Sequence, residues 1–266
     1  MAEFRARENC VKFLFGGLAG RLLSLAVVAV IAAGAGWYFF IREENKPQDA
    51  AADITEEVRQ AAGQPATTPA SNQASPSAQA TSADGASTYA GTSYRIIEGQ
   101  SEAWYLADEK LARLPTGSTA KGTTNKISGT FHLTSDGLDP SKPTTFTVDL
   151  ASITSDNSRR DERMRGALET SKYPTTTFTA TSISGLPAAF GATDTVLQLT
   201  GTLDLHGVQK DVTWELKVKR DGDILSVLGT TAFTYADFGI KKPDIAGVVS
   251  VEEDVTLQVQ LFIQEA

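Results

Sequence analysis

The chain has 266 residues, a formal net charge of −8 and 41% hydrophobic content. The acidic balance, with no basic stripe interleaved with aromatics, argues against nucleic acid or an anionic membrane surface as the main partner of the folded part. The single cysteine, Cys10, excludes an intrachain disulfide, and two histidines, His132 and His206, are too few for a histidine-rich metal site.

Residues 1–21 carry Arg5, Arg7, Lys12 and Arg21 against Glu3 and Glu8. Residues 22–41 then run without a charge and end in Trp37, Tyr38, Phe39, Phe40 and Ile41. That run matches the roughly 20 residues needed to cross a bilayer core, and aromatic rings favour the interface. The Lys/Arg excess before it predicts a cytoplasmic N-terminal segment and a single-pass cell-membrane protein whose C-terminal part is extracytoplasmic. Ala33-Gly34-Ala35 offers small residues for signal cleavage. The apolar run exceeds the 7–15 residues of a signal peptide, so an uncleaved anchor is expected. Cys10 reads as a reduced cytoplasmic thiol. Gly16-Gly17 and Gly20 precede the span and follow no strand, so they do not form a phosphate-cradling loop.

Residues 42–92 are dominated by Ala, Ser, Thr, Gln and Pro and have few large apolar side chains. Such a segment buries too little surface to offset its ordering entropy. It is expected to be a disordered tether, with a marginal helix around 53–62.

Residues 93–266 alternate apolar and polar side chains. Ile127, Phe131 and Leu133 do so, then Phe146, Val148 and Leu150, then Leu197 to Leu205. Val212, Trp214, Leu216 and Val218 follow, then Leu225, Val227 and Phe233, and finally Val255 to Ile263. Period two means one buried and one wet face. Turn signals lie at Ser135-Asp136-Gly137, Gly185-Leu186-Pro187, Asp221-Gly222-Asp223 and Lys242-Pro243-Asp244. The fold class expected is all-β, an antiparallel meander of about eight strands closed as a barrel or folded as a sandwich, with the strand count favouring the barrel. Gly129 and Gly201 face inward and either make room for a guest or mark strand bends.

One stretch breaks the pattern. Around residues 159–168, Met164, Ala167 and Leu168 share a helical face at i, i+3 and i+4. Asp156 or Asn157 can cap its start, and Pro174 stops it. Arg159, Arg160, Arg163 and Arg165 form its cationic side. They either pair with Asp161, Glu162 and Glu169 or meet the phosphate head of a lipid whose tail lies inside the barrel.

No catalytic constellation emerges. G-x-S-x-G is absent, and neither histidine has a serine–acid partner nearby in sequence. Asp161-Glu162 and Glu252-Glu253-Asp254 read as solvated charges. His132 should face outward, and both histidines read as structural. Trp214 reads as core; Trp104 and Tyr105 line the barrel mouth or pack the early strands. A non-enzyme is expected, with no metal and no cofactor.

The stretch Val148 to Phe178, V-D-L-A-S-I-T-S-D-N-S-R-R-D-E-R-M-R-G-A-L-E-T-S-K-Y-P-T-T-T-F, resembles the signature of YceI-like domains. Leu199 to Val212, Tyr235 to Ile240 (Y-A-D-F-G-I) and Val248 to Val259 match further family motifs in order. Arg163 stands where many members carry histidine. The resemblance implies a lipocalin-like antiparallel barrel of about eight strands with a short helix, binding a polyprenyl or isoprenoid-quinone lipid in its lumen. It implies a non-catalytic carrier or reservoir in the bacterial cell envelope. The alternative is a filled-barrel structural or interaction module. The lumen set expected to touch the lipid is Phe131, Phe146, Val148, Phe178, Leu199, Leu203, Trp214, Phe233 and Leu257, with Arg160 and Arg163 near its head. The other expected partners are the membrane, through residues 22–41, and a second copy through the barrel domain.

Overall fold

The computed structural model describes residues 45–63, 91–111, 117–243 and 249–266. The expected N-terminal segment and span lie outside these residues, as do the parts of the expected linker at 42–44 and 64–90. Among the described residues no helix is long and apolar enough to cross a membrane.

The period-two segments become antiparallel strands, twelve among the described residues. They are β1 (Thr92–Ile96), β2 (Glu102–Leu111), β3 (Ser118–Thr124), β4 (Ile127–Thr134), β5 (Gly137–Leu138) and β6 (Thr145–Asp149). They continue as β7 (Thr154–Ser155), β8 (Thr175–Ser184), β9 (Thr195–Leu205), β10 (Val208–Asp221), β11 (Ile224–Thr234) and β12 (Val249–Glu265). The helices are α1 (Glu56–Ala61) and α2 (Ser158–Ala167).

These strands close into an eight-stranded barrel. The path runs β1-β4-β6-β8-β9-β10-β11-β12, and β12 returns to β1. β1 and β2 act as two halves of one wall. β12 pairs with β1 at Ile263↔Ile96 and with β2 at Val259↔Ala103. Phe262 bridges the break: its carbonyl accepts the Ile97 N–H at 2.8 Å, and its N–H donates to Ser101 Oγ at 3.0 Å. β3 and β4 make a second broken wall, as β3 pairs with β2 and β4 with β1. β6 and β7 make a third, interrupted by a 3-10 turn at Leu150–Ser152. Closure of a meander leaves no interior strand edge to cover.

One half of the barrel is solid. The Phe146 ring lies 5.2 Å from Phe178 and 5.7 Å from Trp214, the latter edge-on. Leu199, Leu203 and Val148 are buried in the same cluster, and Phe131 packs against it. Gly129 and Gly201 belong to this half. A Cβ at Gly201 would meet Thr179 O at 2.2 Å and Phe178 Cζ at 2.7 Å. A Cβ at Gly129 would meet Thr145 O at 2.3 Å. Neither guest space nor a strand bend, the two meanings expected for these glycines, is what the contacts show: a neighbouring strand approaches each one closely.

The β9–β10 hairpin turns at His206-Gly207, both with positive φ (56° and 74°). This is the primed geometry that two-residue hairpins favour. The Tyr173 ring packs so closely on Gly207 that a Cβ there would meet it at 2.7 Å.

Two expectations need correction. Residues 47–63 fall inside the stretch expected to be a disordered linker, yet they are ordered and belong to the same compact unit as the barrel. Ala51 and Val58 are buried, which gives this short segment the apolar anchors that its composition average hides. Consequently the outward face of β12 is not wet: Gln258, Gln260 and Phe262 are all buried.

Candidate functional site

The half of the barrel beyond the three wall breaks is hollow. An apolar cavity of about 260 Å³ lies there, partly open to solvent. Its walls are inward residues of β2 (Tyr105, Ala107), β11 (Phe233) and β12 (Val251, Val255, Leu257). Leu150 and Ile153, which flank the break between β6 and β7, supply its side. Its roof is α2, through Met164 and Ala167, together with Leu168, the apolar face read from the sequence.

α2 is set in place by polar contacts that its sequence dictates. Asn157 caps it, with Oδ1 accepting the Arg159 N–H at 3.0 Å. Asp161 is buried and accepts Ser155 N–H at 2.9 Å and Ser155 Oγ–H at 2.6 Å, which ties the helix to β7. It is therefore a structural anchor. Arg160 reaches across to Glu109 on β2, at 3.4 Å from each carboxylate oxygen, and also pairs with Asp156. The helix ends at Ala167, before Pro174, with Glu169 in the left-handed region (φ 47°).

A second segment closes the far rim. The 3-10 turn Tyr235–Phe238 carries a capping box between Thr234 and Asp237. Hydrogen bonds from Lys210 and then from Thr234 hold the Asp237 carboxyl well below the usual carboxylate range. Tyr235 and Ile240 from this segment face the cavity. His206 joins the two rims: its Nδ1 lies 3.1 Å from the Phe238 carbonyl, and its Nε2 is 3.8 Å from Glu169 Oε1. His132 bonds Ser93 Oγ at 2.8 Å on the outside wall. Both histidines hold structural positions.

The cavity is lined mostly by apolar side chains. Its polar groups are few. Burial pushes the Tyr105 phenol up to about 12, so it stays neutral. Glu109 is neutralised by Arg160. Arg163 lines the cavity, is exposed, and has no ion pair among the described residues. Among the described residues no group of three or more metal-ligating side chains is gathered.

The expected lumen set divides between the two halves. Phe233 and Leu257 line the cavity, as do Arg160 and Arg163. Phe131, Phe146, Val148, Phe178, Leu199, Leu203 and Trp214 do not line it; they fill the solid half. They face inward as expected but sit at the wrong height along the barrel. Arg160 is also corrected as a free head contact, because Glu109 and Asp156 already occupy its guanidinium. Of the two roles expected for Trp104 and Tyr105, Tyr105 lines the cavity, whereas Trp104 packs on the outer side of β2 with Leu106 and Leu228 and donates to Gln258 Oε1 at 3.1 Å. Reasoning from strand alternation missed the small residues Ala107 and Ala120, which leave the space rather than fill it.

Residues 94–263 match the YceI-like domain. The Protein YceI of Escherichia coli O157:H7 is 36% identical over 105 residues, which are 38% of this chain and 50% of that protein. The chain thus spans about half the length of this relative. A UPF0312 protein of Pseudomonas putida (strain F1) is 30% identical over 165 residues, covering 58% of this chain and 79% of that protein. In structure, a polyisoprenoid binding domain from Saccharophagus degradans superposes with a TM-score of 0.51 at 21% identity, covering 66% of this chain and 99% of that one, which is a likeness of fold. The matched span takes in the barrel strands, α2 and the hollow half, and the chain belongs to the YceI-like domain family.

Proposed function

We propose that this protein is a non-catalytic carrier or reservoir that holds the tail of an isoprenoid lipid in the hollow half of its barrel. The observation that carries this reading is the 260 Å³ apolar cavity beneath Met164 and Ala167. Apolar cavities of roughly 150 Å³ already accept a benzene ring. Each methylene moved from water into such a site contributes roughly 0.8 kcal/mol, without any specific polar group. A branched prenyl tail fits walls built from Leu, Val, Ala and Met. The volume suits one end of a chain, with the rest leaving past α2. Arg163 at the cavity then favours an anionic head over a neutral one. A polyisoprenoid binding domain that shares the fold supports the same ligand class. The charge-free run 22–41 and the basic residues before it support a membrane anchor with the barrel on the extracytoplasmic side.

The test is lipid extraction and mass spectrometry of the protein purified from its native host. A stoichiometric prenyl lipid is expected, and it should be lost when Ala167 is replaced by Phe. Protein that carries no prenyl lipid and fails to bind one added as a pure compound refutes the proposal. The aromatic block around Phe146, Phe178 and Trp214 favours a second reading, a barrel packed for rigidity that acts through its outer surface. That reading predicts an Ala167→Phe variant with unchanged behaviour.

A further inference from the structure

The outer wall of the barrel carries a built peptide groove, and it is occupied. Gln258 is 1% exposed although it points away from the lumen. Its amide pairs with a backbone: Oε1 accepts the Gln48 N–H at 2.8 Å, and Nε2 donates to the Gln48 carbonyl at 2.9 Å. Two residues along β12, Gln260 Oε1 accepts the Ala52 N–H at 2.9 Å. Ser226 Oγ on β11 donates to the Ala52 carbonyl at 2.6 Å. These side chains read the main chain of an extended segment, as a neighbouring strand would. The gap between them takes only a small side chain: Ala51 clusters there with Trp104, Leu106 and Leu228. Further on, Val58 of α1 packs on Ile97, Ile224 and Phe262. Lys219–Asp53 (2.5 Å) and Arg59–Asp221 add ion pairs at the border.

We propose that this groove is a cis docking site for residues 47–62, and that its role is to set how far the barrel reaches from the N-terminal segment. The charge-free run ends at Ile41 and the first clamped residue is Gln48, so residues 42–47 alone separate them. Six residues span at most about 20 Å. The low-complexity stretch 64–90 connects Gly63 to Gly91, both in the barrel's own compact unit. With both of its ends in that unit, its length adds nothing to the chain between Ile41 and Gln48. With the strap released, residues 42–91 would all act as spacer, up to about 170 Å. Cis docking also outcompetes a free peptide, because a short linker holds its ends at an effective concentration of order mM.

Two measurements on the full chain test this. The first is amide hydrogen exchange of the otherwise native protein. Gln48 and Ala52 should exchange at least about 100-fold more slowly than in an unstructured peptide, and the double substitution Gln258→Ala and Gln260→Ala should remove most of that protection. Unprotected amides at both positions in the native chain overturn the proposal. The second is energy transfer between dyes at Lys46→Cys and Val196→Cys in a Cys10→Ser background. Deleting residues 70–84 should leave the transfer unchanged. Adding Val58→Asp to the two glutamine substitutions should lower the transfer and make it sensitive to the same deletion. Transfer that already depends on that deletion in the strap-intact chain identifies 64–90 as the spacer and overturns the proposal.

Discussion

Ala167→Phe separates a hollow barrel from a filled one. Ala167 lies on the roof helix and lines the cavity. A cavity of roughly 150 Å³ accepts benzene, so a phenyl group placed there removes more than half of the 260 Å³. If a methylene occupies about the roughly 30 Å³ of a water, the loss is about five methylenes. At roughly 0.8 kcal/mol each, that is about 4 kcal/mol, or nearly 1,000-fold in Kd. Partial rotation of the new ring toward the mouth softens this, so a loss of at least about 100-fold is expected. The assay is fluorescence titration with dansyl-farnesol. Thermal unfolding followed by circular dichroism runs beside it, since a ring filling an apolar void should leave Tm unchanged or raised. Phe146→Leu is the control. It trims the solid half, should cost about 1–2 kcal/mol of stability, and should leave the probe affinity within threefold. A well-folded Ala167→Phe protein that binds the probe like the native chain refutes the cavity as the tail site. A Phe146→Leu protein that loses binding while remaining folded moves the site to the other half.

Arg163→Gln should weaken farnesyl diphosphate about fivefold at low salt and leave farnesol unaffected, measured by competition with the dansyl probe. Arg160→Gln should act on stability instead, costing about 1–3 kcal/mol in urea unfolding, because it strips the partner from the mostly buried Glu109. Gly201→Ala places a Cβ 2.2 Å from Thr179 O and should cost about 1–3 kcal/mol or abolish folding. Tyr105 gives the pH signature. Its pKa is raised by burial from 10 to about 12, so the unfolded chain gives up the phenol proton first. The stabilisation is complete below pH 10 and is lost as pH rises toward 12, amounting to about 2–3 kcal/mol. Tyr105→Phe should flatten the stability curve in that window, and an unchanged alkaline slope would contradict the burial of the phenol.

Much of the barrel was legible because alternation is a strong local signal. Val255, Leu257, Val259, Leu261 and Ile263 face inward along β12 as their spacing requires. The roof helix was legible for the same reason: Met164, Ala167 and Leu168 at i, i+3 and i+4 define one face whatever lies beneath it. The strap was not. Residues 47–62 sit in a compositional average dominated by the polar tract after Gly63, and their anchors, Ala51 and Val58, are separated by seven positions with no repeating period. Their partners, Gln258 and Gln260, read as solvent-facing because strand periodicity reports a face and not what covers it.

The division of the barrel into solid and hollow halves follows from a limit of the same periodicity. Alternation fixes which face a side chain takes but is silent on its height along the barrel. Height comes from register, and β12 shows it best, because one strand samples both halves. Ile263 pairs with Ile96 and Leu225 in the solid half, whereas Leu257 pairs with Tyr105 and Val255 with Ala107 and Phe233 in the hollow half. The large rings cluster at one level through the Gly129–Phe146 and Phe146–Phe178 pairs. At the other level Tyr105 faces Gly122, whose absent side chain lets the ring lie against the wall: a Cβ there would meet the ring at 2.3 Å. Gly122→Val should therefore push Tyr105 into the cavity and mimic Ala167→Phe from the opposite side. Loss of dansyl-farnesol binding in both variants requires one shared space between α2 and β2. Loss in Ala167→Phe alone would mean that the guest is held by the helix without entering the barrel.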